Sequence, residues 1–214
     1  MIDLYTWATP NGRKVSIALE ELGLPYRVHK IDISKGEQKL PEFTRISPGQ
    51  KIPAIIDQET GTSLMESGAI LMYLAQKAGR LLPKDSEGYW QTIQWLMWQK
   101  SQFGPTLGQA LHFLKIARGK SPYAEDRFSA EAHRLYGVLE RQLEDRPFVA
   151  GEEFTIADIA IWPWAARHEF QSIDLYDYPN ALAWYLAIAR RPAVQAGWAV
   201  PVPEDVPIPR RADD

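Results

Sequence analysis

The sequence predicts a two-part protein, a thioredoxin-like α/β domain followed by an all-α helical domain. Three observations carry this reading. The first eighty residues alternate short apolar runs with helical periodicities, in the order βαβ and then ββα. After Leu81-Leu82-Pro83-Lys84-Asp85 the strand patterns nearly vanish and long helical ones take over. The length of 214 residues is enough for one large core or two small ones. The domains are drawn at residues 1–82 and 88–200, with 201–214 as a proline-rich C-terminal tail.

Ile2-Asp3-Leu4-Tyr5 reads as a short strand, followed by a turn at Thr9-Pro10-Asn11-Gly12. Val15, Ala18, Leu19 and Leu22 then fall on one face of a helix that Gly23 ends. Tyr26–Ile33 is a second strand, parallel to the first because a helical crossover joins them. Past a polar loop come Ala54–Ile56 and Ser63–Met65, separated by Asp57-Gln58-Glu59-Thr60-Gly61, a hairpin signal. Ile70, Leu71, Leu74 and Ala78 mark the next helix, stopped at Gly79.

In the second half, Trp90–Phe113 and Tyr123–Leu143 are long enough to be the two pillars of a bundle. Phe154-Thr155-Ile156-Ala157-Asp158-Ile159 is a helix start: Thr155 caps, Asp158 reciprocates, and Phe154 and Ile159 form a hydrophobic staple. Further helices open at Asp177-Tyr178-Pro179 and at Pro192. From Pro201 onward, four prolines and several charges read as a tail laid on the surface or disordered.

Composition narrows the function. A net charge of −3 with no basic block argues against nucleic acid. The longest apolar runs, such as IAIWPWAA, are too short to span a bilayer, and the N-terminus is too short and polar for a secretory segment. A cytoplasmic protein is expected. The absence of cysteine excludes disulfides, CxxC redox chemistry, cysteine-zinc sites and a cysteine nucleophile together. Any thiol chemistry must use a thiol brought in from outside. His29, His112, His133 and His168 have no partner at metal-ligand spacing, so no metal is expected.

Residues 50–67 are the most informative. In Lys51-Ile52-Pro53-Ala54-Ile55-Ile56, Pro53 sits near the start of a buried strand, where a missing N–H is tolerable only at an edge or first residue. Met65-Glu66-Ser67-Gly68 then opens a helix. A strand presenting its backbone edge, beside a helix beginning with free N–H groups, can hold a small extended peptide carrying a carboxylate. That combination points to glutathione.

Taken in order, TPNGRKVSIALEEL, PEFTRISPGQKIPAI, ESGAILMYLA, the WLMWQ…GPTLGQ…HF stretch and FTIADIA resemble the cytosolic glutathione transferases over nearly the whole chain. The resemblance is greatest to the bacterial Nu class, relatives of the globular domain of the yeast nitrogen-regulatory prion protein. It implies the glutathione transferase fold and a symmetric homodimer, to which the aromatic-rich first bundle helix is suited. It also implies that the cysteinyl backbone of glutathione pairs with Ile52 before a cis Pro53. The γ-glutamyl carboxylate would sit at Ser67, its ammonium at Glu66, and the glycine carboxylate near Lys51 and Gln38.

The resemblance assigns the sulfur region to Thr9 and Asn11, which would act on the thiol where other classes use tyrosine, serine or cysteine. Both can donate hydrogen bonds at a helix start whose dipole favours a thiolate. Lowering a thiol pKa of about 8.5 by one unit needs roughly 1.4 kcal/mol, and one hydrogen bond to a charged acceptor supplies about 1.5–3 kcal/mol. The same T-P-N-G is also a good turn with Asn11 capping the helix. Gln102, Phe103, Gln109 and Phe113 are candidates for a second-substrate pocket, Gln102 also for a reach to the partner subunit's glutathione, and Arg127 and Arg134 for the same cleft. Trp95 and Trp98 read as core or interface.

The implied activity is glutathione-dependent disulfide reduction with glutathione as cosubstrate and no protein cysteine, together with peroxidase activity. Two alternatives stay open. One is a transferase conjugating glutathione to hydrophobic electrophiles, and the other a non-catalytic glutathione-binding regulatory module.

Overall fold

A computed structural model describes residues 1–210. The chain forms two compact units, one made of Met1–Leu82 with Arg190–Val206, the other of Pro83–Ala189 with the chain from Pro207. The first unit is built on strands β1 (Ile2–Thr6), β2 (Tyr26–Lys30), β3 (Ala54–Asp57) and β4 (Ser63–Met65), in the sheet order β2-β1-β3-β4. β1 pairs parallel to β2 and antiparallel to β3, and β3 pairs antiparallel to β4. Helices α1 (Pro10–Leu22), α2 (Pro41–Ile46) and α3 (Ser67–Ala78) belong to this unit. So does α9 (Pro192–Trp198), whose chain returns after the five helices α4 to α8 of the second unit. The expected βαβ and ββα orders are present, with α2 an addition in a stretch to which the sequence assigned no element.

α1 follows its sequence signals closely. Pro10 occupies the first turn, where a missing N–H costs nothing, and Gly23 closes the helix at φ 65°. Val15, Ala18, Leu19 and Leu22 are buried as expected. The opposite side is buried too: Arg13, Lys14, Ser16 and Ile17 have almost no exposure. Residues 190–206 cover Arg13, Ser16 and Ile17. Arg191 forms a double hydrogen-bonded ion pair with Glu21 at 2.6 and 2.8 Å, Ser16 Oγ donates to the Gly197 carbonyl at 2.7 Å, and the Arg13 guanidinium lies 3.6 Å over the Trp198 ring. A Cβ on Gly197 would collide with the Ile17 backbone, which is why this crossing carries glycine. The tail drawn from residue 201 is anchored over part of its length: Glu204 pairs with Arg13, and Pro201 and Pro209 are buried.

β3 and α3 are locked together by one carboxylate. Asp57, the last residue of β3 and fully buried, accepts from Tyr73 Oη at 2.6 Å and from Lys77 Nζ at 2.9 Å, both on α3. Its other oxygen accepts from the Glu59 N–H at 3.0 Å in the hairpin turn. Burial alone would raise the Asp57 pKa. The hydrogen bonds from Tyr73, Lys77 and the Glu59 N–H outweigh it and hold the group at about 2.

The second unit is helical: α4 (Ser86–Trp98), α5 (Gly104–Leu111), α6 (Pro122–Gln142), α7 (Ile156–Ala165) and α8 (Pro179–Ala189). α4 and α5 form one long rod interrupted by a π-helical turn at Gln99–Phe103 and followed by a second at His112–Ile116. Thr155 and Asp158 make the expected capping box at α7. Asp158 goes further and accepts from the Val149 N–H and Trp184 Nε1, both at 3.0 Å, at the centre of the unit. Burial raises its pKa, and those hydrogen bonds restrain the rise. No helix of the described residues is long and apolar enough to cross a membrane.

Asp57 titrates below its ordinary value of 3.8, so its stabilisation is complete above about pH 4 and is lost as pH falls through about 2. Asp57→Asn is expected to cost about 1.5–3 kcal/mol at neutral pH. In urea unfolding measured across pH, the gap to wild type should shrink below pH 4; a gap that stays constant to pH 2 would assign the loss to packing instead.

Candidate functional site

Strand register gathers the predicted site at one end of the sheet. Tyr5 opposes Ala54, and Ala54 opposes Met65. The chain leaving β1 at Thr6, the chain entering β3 through Ile52-Pro53 and the chain leaving β4 at Glu66-Ser67 therefore lie side by side. β2 ends there as well, since Lys30 is level with Thr6. α1 and α3 both start at this end, so two positive helix termini accompany the three segments.

At the first segment, Thr9 is the N-cap of α1. Its Oγ1 accepts from the Gly12 N–H at 3.2 Å, and its carbonyl accepts from the Arg13 N–H at 3.0 Å. The cap consumes an oxygen lone pair and leaves the Thr9 O–H able to donate. The expectation that Asn11 caps the helix is corrected: Asn11 lies half-buried within the first turn of α1, and Thr9, the last extended residue before it, is the cap. A Cβ on Gly12 would strike the Trp7 carbonyl and Thr6 Oγ1. Glycine here lets the first turn of α1 close down on the end of β1.

At the second segment, the Ile52–Pro53 peptide is cis, as the resemblance implied. The expectation of an open strand edge needs correction. β3 is flanked by β1 and β4 and has no free edge; what is open is the main chain just before it. Among the described residues the Ile52 N–H and carbonyl have no hydrogen-bond partner. Ser47, buried, shapes this segment by donating its Oγ to the Lys51 carbonyl at 2.8 Å while its N–H bonds the Phe43 carbonyl at 2.8 Å. Lys51 itself is exposed. Gln38 is half-buried in a 3₁₀ turn at Glu37–Lys39, with its side-chain oxygen buried and without a partner among the described residues.

At the third segment, Glu66 is exposed and adopts φ 70°, a left-handed conformation unusual for a side-chain-bearing residue. Such geometry costs about 1–3 kcal/mol and concentrates at ligand-binding positions. Ser67, 2% exposed, is the first residue of α3.

The four second-unit candidates do not share one environment. Gln102 and Gln109 are exposed. Phe113 is half-buried in the second π turn and stacks on Phe128 with 5.4 Å between centroids. Phe103 is a correction: it is completely buried, 4.9 Å from the Trp98 ring and 5.4 Å from Tyr136, a core position rather than a pocket lining. Arg134 is exposed and pairs with Glu131 at 2.9 Å, and Arg127 is exposed. Trp95 is buried and meets the half-buried Trp98 edge to face at 5.0 Å. The described residues include no group of three or more His, Cys, Asp or Glu side chains able to hold a metal ion.

Reasoning from sequence passed over Ser47, Asp57 and the α1 cover from residues 190–206. Only Ser47 left a local sign, in the SPGQ turn that precedes the site.

Residues 1–76 match the family model described as glutathione S-transferase, N-terminal domain, and residues 103–192 match the C-terminal domain of the same family. The chain belongs to the glutathione S-transferase family and is most like its Nu-class branch. It is 48% identical over 198 residues to the disulfide-bond oxidoreductase YfcG of Escherichia coli, covering 90% of this chain and 92% of that one. Among solved structures it is similar to a glutathione transferase from Burkholderia graminis with two glutathione molecules bound per subunit, at TM-score 0.89 and 42% identity, covering 94% of this chain and 88% of that one. A second is a glutathione transferase from Pseudomonas putida with one glutathione disulfide bound per subunit, at TM-score 0.88 and 42% identity, covering 94% and 91%.

Ser47→Ala removes the bond that fixes the Lys51 carbonyl. Its cost of about 1–3 kcal/mol should weaken glutathione binding by about tenfold. Isothermal titration measures this directly; unchanged affinity would show that the Lys51–Pro53 main chain holds its shape without Ser47.

Proposed function

We propose that this protein is a glutathione-dependent disulfide reductase of the cytoplasm, working as a homodimer and without a cysteine of its own. The observation that carries this is the convergence at one sheet end of the capped α1 start, the unpaired Ile52 main chain and the α3 start at Ser67. The three offer partners to the thiol, the cysteinyl main chain and the γ-glutamyl end of glutathione. The Ile52 N–H and carbonyl pair with the cysteinyl backbone. Ser67 and the first N–H groups of α3 take the γ-glutamyl carboxylate. Glu66 meets its ammonium, and Lys51 with Gln38 meets the glycine carboxylate.

The thiol then lies toward α1, where the Thr9 hydroxyl and the Asn11 amide donate to it and the helix terminus favours its anion. The bound thiolate attacks one sulfur of a disulfide, forming a mixed disulfide and releasing the other half as a thiolate. A second glutathione thiolate attacks the glutathione sulfur of that mixed disulfide, giving glutathione disulfide and the second product thiol. Relatives described with two glutathiones or with glutathione disulfide per subunit support a site that accommodates both partners of the second step. The name of the Escherichia coli relative supports the reaction class. For the dimer, Trp90 and Met97, one face of α4 apart by two turns and exposed at 63% and 46%, offer apolar surface to a second copy.

The test is steady-state reduction of hydroxyethyl disulfide by glutathione, coupled to glutathione reductase. Wild type should turn over well above the uncatalysed rate, and Asn11→Ala should lose at least about tenfold in kcat, the worth of one hydrogen bond to a charged sulfur. Background turnover by the wild type would sink the reductase reading. Full activity in Asn11→Ala would move thiolate stabilisation to Thr9 and the helix terminus.

A further inference from the structure

The turn that leads into the Ile52 segment rests on a thioether. The Gln50 N–H donates to the Ser47 carbonyl at 2.8 Å and closes Ser47–Gln50 into a tight turn. A Cβ on Gly49 would lie 3.9 Å from Met65 Sδ, so the turn packs on the last residue of β4. Ser47 Oγ lies 3.9 Å from the same sulfur while donating to the Lys51 carbonyl at 2.8 Å. A hydroxyl has one proton to donate, and a thioether is a weak acceptor, so the carbonyl holds it. The Lys51 carbonyl and the Ile52 N–H belong to one planar peptide unit, and whatever fixes the direction of one fixes the other. Ser47 therefore aims the Ile52 N–H. Met65 is 39% exposed, within reach of a dissolved oxidant.

We propose that Met65 is a site of reversible oxidation by hydroperoxides, and that its sulfoxide lowers glutathione affinity by drawing the Ser47 proton away from the Lys51 carbonyl. The proposal rests on the assignment of the Ile52 main chain to the cysteinyl part of glutathione. In the oxidation, the Met65 sulfur attacks the terminal oxygen of the hydroperoxide and the O–O bond breaks. The sulfur gains that oxygen and is oxidised by two electrons. The proton of the transferred oxygen passes to the departing one, which leaves as an alcohol, or as water from hydrogen peroxide. The sulfoxide is polar where the thioether was apolar, and its oxygen is a strong acceptor. With Ser47 Oγ already beside the sulfur, that oxygen competes for the single hydroxyl proton. Once the proton turns to it, the Lys51 carbonyl is released and the Ile52 N–H loses its fixed direction. Methionine sulfoxide reductases remove the oxygen and restore the original bond.

The experiment uses the full chain as wild type, Met65→Leu and Ser47→Ala, with Met65→Ile replacing Met65→Leu where that variant does not fold. Each is treated with hydrogen peroxide, the peroxide is removed, and the added oxygen is located by peptide mass spectrometry. Glutathione affinity is measured by isothermal titration before and after. Oxidised wild type should carry an oxygen on Met65, bind glutathione about tenfold more weakly, and recover after treatment with a methionine sulfoxide reductase. Met1 and Met97 are exposed as well, so Met65→Leu, which removes only this sulfur, should keep its affinity through the same treatment. Ser47→Ala has already lost the bond and should lose no further affinity when Met65 is oxidised. The proposal is overturned by a Met65 that stays unoxidised at a peroxide dose that oxidises free methionine. It is equally overturned by a Met65 sulfoxide that leaves affinity within about twofold, or by a loss in oxidised Ser47→Ala as large as in wild type. An untreated wild type that binds no glutathione overturns the site assignment itself, a result separable from tight binding that peroxide leaves unchanged.

Discussion

The site depends on a carboxylate that touches no part of it. Asp57 ties the end of β3 to the middle of α3 through Tyr73 and Lys77. The segment entering β3 carries Ile52 and Pro53, and the start of α3 carries Ser67. Their separation is therefore set by strand register on one side and by a buried, ionised group on the other. Burying an isolated carboxylate is costly, and this one is retained because a phenol, an ammonium and a main-chain N–H all converge on it. The hairpin turn that closes β3 onto β4 shares the same oxygen pair through the Glu59 N–H. One side chain thus settles strand end, turn and helix together.

Much of this fold was legible because local signals agreed. Proline at the start of α1, glycine in left-handed conformation at its end, and the Thr155–Asp158 box at α7 each state a boundary in residues that sit next to it. The 3.6-residue periodicity placed Val15, Ala18, Leu19 and Leu22 on a buried face correctly. It could not reveal that Arg13 and Ser16 are also buried, because their cover arrives from residues about 180 positions later in sequence. A polar pair on a helix reads as a solvated face until the segment that covers it is known, and periodicity holds no record of that segment.

The candidate site divides along the same line. Pro53 announces itself through a constraint that is local, and a cap before α1 was legible although it falls on Thr9 and not on Asn11. Ser47 does not announce itself: its importance is a bond to a carbonyl four residues on, across a turn that any Ser-Pro-Gly sequence makes. The strand edge was misplaced because pattern shows where a strand is and not what lies on either side of it; β1 and β4 flank β3. Phe103 was misjudged for a related reason. The π turn at Gln99–Phe103 rotates the helix surface relative to a regular repeat, and it carries Phe103 inward onto Tyr136.

The interlocking of α1 with residues 190–206 has a bearing on how the molecule is made. Synthesis proceeds from the N-terminus, and domains that are continuous in sequence can complete themselves as they emerge. Here the unit that emerges first cannot. Until α9 and Glu204 have left the ribosome, α1 exposes Arg13, Ser16 and Ile17 on a face that the finished protein hides, and Glu21 awaits Arg191. The helical unit, save for the chain from Pro207, is synthesised in full during that interval. The nascent protein therefore carries an unfinished first unit until residues 190–206 have followed the helical unit out of the ribosome.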